Sequence, residues 1–495
     1  MHPDDLSVYL DFSLFQLNIY LLLPFLFHLY WCFQLENNIM KLILYPRALE
    51  NRVRGADPSL TASRRRFLGT AATRLLMLQF LFLGLFSYIY GCLFQQSSHV
   101  HKMNILFVDY DGGSIGNAIR QSYANLQGNN FPTLIQKSVS DFPHPSNLRS
   151  MICDGNHWAA IYIQAGASAK LQSVLSGDSV ADSSVELTYI WNEARYPAIA
   201  DTLISQNVEL LSSAARVAYV SSLGADGLQP TSGNRSATFV TLASPWSLNS
   251  INIQPTTQGS RLIYNTLVII LIIIQEFFYV GALNAIYIQF KIYTRIHPLR
   301  IIVYRTVISL VYTFIGSLCS TGAMWAFRAT WNVNSNQFAL TWAVLWLFAH
   351  INYQTLDVFT IWIPPTQVPM AFITWVVFNS ASVLVPIELM PMFYRWVYAI
   401  PANELYRVLI DIWSGGCNRK LHIALPVLFS WQILLLLLSS LGVYRRCHLA
   451  VIEEEMQKEA SHARLNAVSA PEKGGYQTAG VEPENLTSSI AISSL

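Results

Sequence analysis

Charge is scarce in this 495-residue chain: Asp, Glu, Lys and Arg make up 12% of it, against roughly 25% in soluble domains. Hydrophobic residues make up 53%, a balance far from that of a soluble protein. The net charge of +2 gives no reason to propose nucleic acid as a partner. Cysteine is also sparse. Cys32, Cys92, Cys153, Cys319, Cys417 and Cys447 are scattered without CxxC or paired metal-like spacing, so neither a zinc site nor a disulfide framework is signalled. Cys153 and Cys417 are read as two lone thiols, with one bridge between them as the alternative. A phosphate-cradling GxxxxGK[ST] loop is missing, and the nearest match, Lys473 followed by two glycines, lies in a polar tail. If ATP drives any transport, a separate chain hydrolyses it. There is no GxSxG nucleophile elbow, and His99, His101, His144 and His157 form no ligand-like group. No enzyme activity, cofactor or metal is expected.

Long hydrophobic runs dominate what is there. Residues 74–94 carry no charge past Arg74 and are long enough to cross a hydrocarbon core of about 30 Å as a helix. Five more runs follow a polar stretch, at about 262–283, 306–327, 338–359, 368–385 and 423–444. Basic residues flank them: Arg64, Arg65 and Arg66 before the first, Lys291, Arg295, Arg300 and Arg305 between the next two, and Arg445 and Arg446 after the last. By the positive-inside tendency these lie in the cytoplasm, and the polar stretch lies on the other side of the membrane. Residues 12–33 form a further uncharged run containing Pro24 and His28. The acidic start MHPDD lacks the basic region of a secretory signal, so the count is six spans or seven.

The polar stretch alternates strand-length and helical patterns: strands at 104–111, 133–139, 158–164 and 186–191, helices at 114–126, 145–153, 167–175 and 198–222. That alternation suggests a mostly parallel sheet. Residues 224–259 read as a loop-rich return containing the sequon Asn234-Arg-Ser236, usable for glycosylation on the lumenal side. The fold class expected is thus a polytopic α-helical membrane protein with a large extracytoplasmic α/β domain between the first core span and a five-span C-terminal bundle. The divisions are 1–66, an N-terminal segment; 67–94, a span; 95–260, the α/β domain; 261–447, the bundle; and 448–495, a cytoplasmic tail read as disordered or as frayed helix.

This layout resembles the membrane subunits of type-2 ABC exporters and the phage-infection-protein group. In detail, PIELMPMFYRWVYAIPANELYRVLIDIWSGGC (386–417), ALPVLFSW (424–431), NILFVDYDGGSIGNAI from Asn104 and YIWNEARYP from Tyr189 resemble a fungal family of membrane proteins named for nitrosoguanidine resistance. The resemblance covers about residues 64–448. The hydrophobic N-terminus departs from it, leaving a seventh span or a true start at Met40 or later. The resemblance implies a link to export of, or tolerance to, toxic compounds and to membrane organisation, without an assigned substrate. Transport of a small amphiphilic toxin or lipid is expected at the plasma membrane or an endomembrane, with the central domain extracellular or lumenal and the C-terminus cytoplasmic. A separate ATPase or a second copy of the chain is a conceivable partner. A non-transporting scaffold or regulator is the alternative.

Ionisable groups inside a membrane are costly and mark pathways. The candidates are Glu276, Asn284, His350, Gln354 and Asp357, of which His350, Gln354 and Asp357 share one helix face; interhelical hydrogen bonding is the competing reading. Residues 386–417 read as a re-entrant or interfacial hairpin, with Glu388, Arg395, Glu404 and Arg407 as an outer gate and Tyr394, Trp396, Tyr398, Tyr406 and Trp413 at headgroup level. Asp109 and Asp111 could serve a metal or act as paired acids, but an Asx turn before Gly112 and Gly113 is the more ordinary use of such residues. The spacing Gly316-xxx-Ser320 suits close helix packing.

Overall fold

The computed structural model describes residue 58 and residues 61–176, 185–223, 240–256, 266–328 and 331–469. The N-terminal run 12–33 and Asn234 lie outside the described residues. The chain divides into two units, Met1–Gln79 and Phe80–Leu495. Helix α1, Thr61–Cys92, crosses that division; its residues 61–79 are all exposed, as an apolar helix facing lipid would be.

In the second unit, five strands form one sheet: β1 Asn104–Asp109, β2 Thr133–Lys137, β3 Ala159–Ile163, β4 Glu186–Trp191 and β5 Ser247–Asn252, in the order β2-β1-β3-β4-β5. All neighbours are parallel except β3 and β4. The helices between them are α2 Ser114–Leu126, α3 Pro145–Cys153, α4 Ala167–Leu175 and α5 Gln206–Ser222. Alternation assigns the side chains. Ile105, Phe107, Ile161 and Leu187 pack with Ile115 and Ile119 of α2, whereas Leu106, Val108, Ala160 and Tyr162 pack with Leu148 and Ile152 of α3. Both faces of β1 are covered, as parallel strands require.

Two readings change here. The helix expected at 198–222 contains a π turn at Ala200–Ser205 before α5. The segment read as loop contains β5, a polar edge strand of sequence SLNSIN that has no hydrophobic alternation to announce it.

The remaining helices are α6 Leu267–Gln289, α7 Pro298–Ala326, α8 Ser335–Trp362, α9 Val368–Ala381, α10 Pro401–Trp413 and α11 Leu421–Ser469. Among the described residues four helices, α1, α6, α7 and α11, are long and apolar enough to cross a membrane. The other two differ from expectation for separate reasons. Helix α8 has the length, at 28 residues, but its segment from Phe348 to Asp357 is buried on every side. A helix surrounded by protein need not be uniformly greasy. Helix α9 has only 14 residues, fewer than the about 20 a span takes. Of the two readings of the tail from 448, disordered or helical, its described part is helix, continuing α11 to Ser469. Its run of Glu, Met, Gln, Lys and Ala favours helix, and Lys458 pairs with Glu454 at 3.3 Å.

Local chemistry sets the ends of α8 and α10. Asn334 and Gln337 cap α8 reciprocally, with Gln337 N–H to Asn334 Oδ1 at 2.9 Å and Asn334 N–H to Gln337 Oε1 at 2.8 Å. The same Gln337 donates its Nε2 to the Ile412 and Trp413 carbonyls that end α10. Gly415 and Gly416 then take φ of +64° and +90°, a left-handed turn that side chains resist. The turn presents Cys417 to Cys153 at the end of α3, and the two form a disulfide. This corrects the reading of two lone thiols. Among the described cysteines Cys92, Cys319 and Cys447 are free.

The bridge closes a loop of 264 residues. Cys153→Ser is expected to lower stability by about 2–4 kcal/mol. Its thermal midpoint should match that of reduced wild-type protein; a reductant-insensitive wild type would show that the bridge does not hold the domain to α10.

A candidate polar site in the helix bundle

Three helices carry polar residues in register. On α7, Arg305, Ser309, Thr313, Ser317 and Thr321 recur every four residues, and all are buried. On α8 the stripe is His350, Gln354 and Asp357, also buried. On α11, Gln432, Ser439 and Arg446 recur every seven. Spacings of four and seven keep one face of a helix, so the stripes meet along the bundle axis. Trp342 and Trp346 of α8 donate indole N–H groups to the Phe314 and Leu310 carbonyls of α7, each at 3.1 Å.

At one end Asp357 is 1% exposed and lies between two guanidinium groups. Arg305 Nη2 approaches Oδ1 at 2.5 Å and Arg446 Nη2 approaches it at 3.0 Å. Ser439 Oγ donates to Oδ2 at 2.6 Å. Arg305 also donates to Tyr293 Oη at 2.9 Å and to Asn284 Oδ1 at 3.1 Å. Arg446 donates to Thr360 Oγ1 at 2.6 Å, and Asn284 Nδ2 donates to the same hydroxyl at 3.2 Å. Asn284 and Asp357 therefore belong to one hydrogen-bonded network, in which both Asp357 oxygens are engaged. Arg305 and Arg446 were read from sequence as flanking charges; the four-residue and seven-residue spacings were the signals that place them inside.

Two turns away on α8, His350 is held through both ring nitrogens. Nε2 lies 3.1 Å from Ser309 Oγ and 3.3 Å from Gln354 Nε2, and Nδ1 lies 2.8 Å from Gln432 Nε2. The imidazole lies nearly parallel to the Tyr353 ring, at 3° with centroids 6.5 Å apart.

Glu276 of α6 joins neither group by a hydrogen bond. It is 1% exposed, and both its carboxylate oxygens are buried without a hydrogen-bond partner. Beside it, Tyr279 stacks on Tyr312 at 3.5 Å, and Tyr312 Oη donates to the Gln275 carbonyl at 3.3 Å. A side chain at Gly316 would strike the Gln275 amide, so this glycine permits the close approach of α6 and α7.

The proposed outer gate is only partly assembled. Glu404 is fully buried and pairs with Arg407 at 3.1 Å, whose guanidinium lies 4.5 Å over Tyr398. Glu388 pairs with Arg195 of the α/β domain at 3.1 Å, and Arg195 stacks on Trp158 at 3.8 Å. Arg395 is exposed and makes no ion pair among the described residues. Helix α10 is buried along nearly its whole length; Tyr394, Tyr406 and Trp413 are buried with it, whereas Trp396 and Tyr398 are exposed. Asp109 and Asp111 make turn bonds: Asp109 Oδ1 accepts from Gly112 N–H at 2.9 Å, and Asp111 accepts from Gly113 and Ser168. Arg120 takes the other Asp109 oxygen at 2.6 Å.

A family model described as "Protein of unknown function (DUF3533)" matches residues 74–437. The match takes in Glu276, Asn284, Arg305, His350, Asp357 and Gln432, and ends just before Ser439 and Arg446.

Two measurements test this geometry. Asp357→Asn leaves Arg305 and Arg446 without their carboxylate, and is expected to cost about 3–5 kcal/mol; Asp357→Leu combined with Arg305→Met and Arg446→Met should recover most of that in detergent denaturation. Equal losses would mean that the pair is not what holds these helices. In the α/β domain, burial pushes the His157 imidazole below its ordinary 6.5, with Lys137 and Arg195 adding to the effect. The unfolded chain then binds more protons than the folded one as pH falls below about 6.5, so stability should decline in that window. His157→Asn should flatten the decline, and a slope unchanged in the variant would assign it to other groups.

Proposed function

The chain belongs to the DUF3533 family, and from its bundle we propose that it is a transporter-like integral membrane protein moving a small amphiphilic molecule, a toxin or a lipid, out of or across the bilayer. The observation that carries this reading is Glu276, a carboxylate buried in an apolar helix with no hydrogen-bond partner. Burying such a group costs several kcal/mol of desolvation, and a purely structural helix gains nothing from it. The resemblance to nitrosoguanidine-resistance proteins points the same way.

The reading takes six spans, counting α8 as a protein-enclosed span and α9 as a short one completed by the residues after it. The run 12–33 would be a seventh. The α/β domain is then extracellular or lumenal and the C-terminus cytoplasmic, in the plasma membrane or an endomembrane. The Cys153–Cys417 bridge supports this orientation, because disulfides persist on the oxidising side. Under six alternating spans both cysteines fall there, and Arg300, Arg445 and Arg446 fall on the opposite side.

A second reading, a non-transporting scaffold, draws support from the saturation of Asp357, since such bonds also glue membrane helices together. Accumulation of a fluorescent amphiphile or labelled phospholipid in cells with and without the gene separates the two. Transport predicts faster loss or altered leaflet distribution, abolished by Glu276→Gln at matched protein abundance. The amide removes a charge without removing any bond, so the fold should persist. No difference between cells with and without the protein would leave the scaffold.

A further inference from the structure

His350 is flanked by two primary amides, Gln354 at Nε2 and Gln432 at Nδ1, and both present N–H to the ring. A neutral imidazole has one N–H and one lone pair, so only one ring nitrogen can accept. The other must donate, either to Ser309 Oγ or to an amide turned to offer its oxygen. Those oxygens are free to do so: Gln354 Oε1 and Gln432 Oε1 are both buried without a partner. Rotating one amide satisfies either neutral tautomer; rotating both gives two acceptors, the set an imidazolium needs.

A second observation reaches the same group from the other side. A cavity of about 10 Å³, the room of roughly one water, is lined by Arg305, Tyr353, Gln354, Asp357 and Ser439 among others. Three of its lining residues each carry a buried polar atom without a partner: Arg305 Nε, Tyr353 Oη and Gln354 Oε1, two donors and an acceptor. Three such groups on residues lining one water-sized space match the usual complement of a buried water. That water would join the Asp357 network to Gln354 and hence to His350.

We propose that His350 is a proton-binding site, served by the rotatable amides of Gln354 and Gln432 and reached through this one-water crevice, and that the proton is the ion this protein uses. The proposal rests on the transport reading and adds its coupling ion. The proton adds to the lone pair of the unprotonated ring nitrogen, and the amide facing that nitrogen turns from N–H to C=O. No other bond changes and no co-reactant is required. The charged and titratable groups around it are Tyr353 and Asp357 on its own helix, Arg305 one turn from Ser309 on α7, Arg446 beyond the crevice on α11, and Tyr279 of α6, 6.4 Å from Tyr353. Glu276 lies on α6 one turn before Tyr279.

The test is ¹⁵N NMR of histidine-labelled full-length protein in lipid, with His350 assigned as the signal missing from His350→Gln. The expected result is reversible conversion from neutral imidazole to imidazolium while the fold is intact. Gln432→Leu and Gln354→Leu should each move the midpoint down by on the order of one pH unit, the effect of losing an acceptor to a charged group, and Gln432→Glu should move it up. A His350 that stays neutral until the protein unfolds overturns the proposal. A midpoint unmoved in the folded glutamine variants overturns the role of the amides and with it the site. Because proton binding is read directly, this result is independent of whether any amphiphile is transported.

Discussion

The enclosure of α8 by protein is the constraint on which the rest depends. Lipid cannot hydrogen-bond a side chain, so a helix facing it must be apolar. A helix facing only other helices can carry whatever its neighbours satisfy. Helices α7 and α11 therefore follow α8 in pattern, each bringing donors or acceptors to the same line, and their opposite faces return to exposed Val, Ile, Leu and Phe. The polar stripes also fix register. Sliding α11 by one turn along α8 would move Ser439 and Arg446 off Asp357, and Gln432 off His350, together.

The second organising element is the clasp between the α/β domain and α10. Short helix α9 ends early, and the chain turns through residues 382–399 before α10 packs between the bundle and the domain. The ties there are of different kinds: the Cys153–Cys417 bond, the Arg195–Glu388 pair, Asn192 Nδ2 to the Cys417 carbonyl at 3.2 Å, and His99 to the Leu389 carbonyl at 3.0 Å. Rings continue the contact, from Trp158 to Tyr196, Tyr406, Trp413 and Trp331 at 5.0–6.4 Å. The domain is thus tied to α10 by covalent, ionic and hydrogen bonds and by packed aromatics.

Legibility in the sequence followed the strength of the local signal. The α/β elements were readable because strands such as AAIYI are short, apolar and bounded by turn residues. Strand β5 was not, since an edge strand with polar side chains carries no periodic signal. Length and hydropathy found α1, α6, α7 and α11, whereas α9 merged with the apolar residues after it into one apparent span. Asp357 and His350 stood out as polar residues in a hydrophobic segment. Their partners did not: Arg305 and Arg446 sit at the ends of apolar runs, where a charge ordinarily reaches water, and only the pairing of three helices brings them inside. The Cys153–Cys417 bond was likewise invisible, because connectivity between distant cysteines is a tertiary property.

The polar groups of the bundle divide by how fully they are bonded. Both Asp357 oxygens are engaged, and its guanidinium partners hold further hydroxyl and amide acceptors, so rearranging that end would expose an unpaired charge at a cost of several kcal/mol. His350 is different in kind, since its amide neighbours keep oxygens in reserve and can exchange bonding patterns without losing any. Glu276 has no partner to lose. A bundle needs the first kind of group to hold its register and gains chemistry only from the other two. In this chain the rigid network lies where Arg446 of α11 meets Asp357, His350 lies two turns along α8 from it, and Glu276 stands apart on α6.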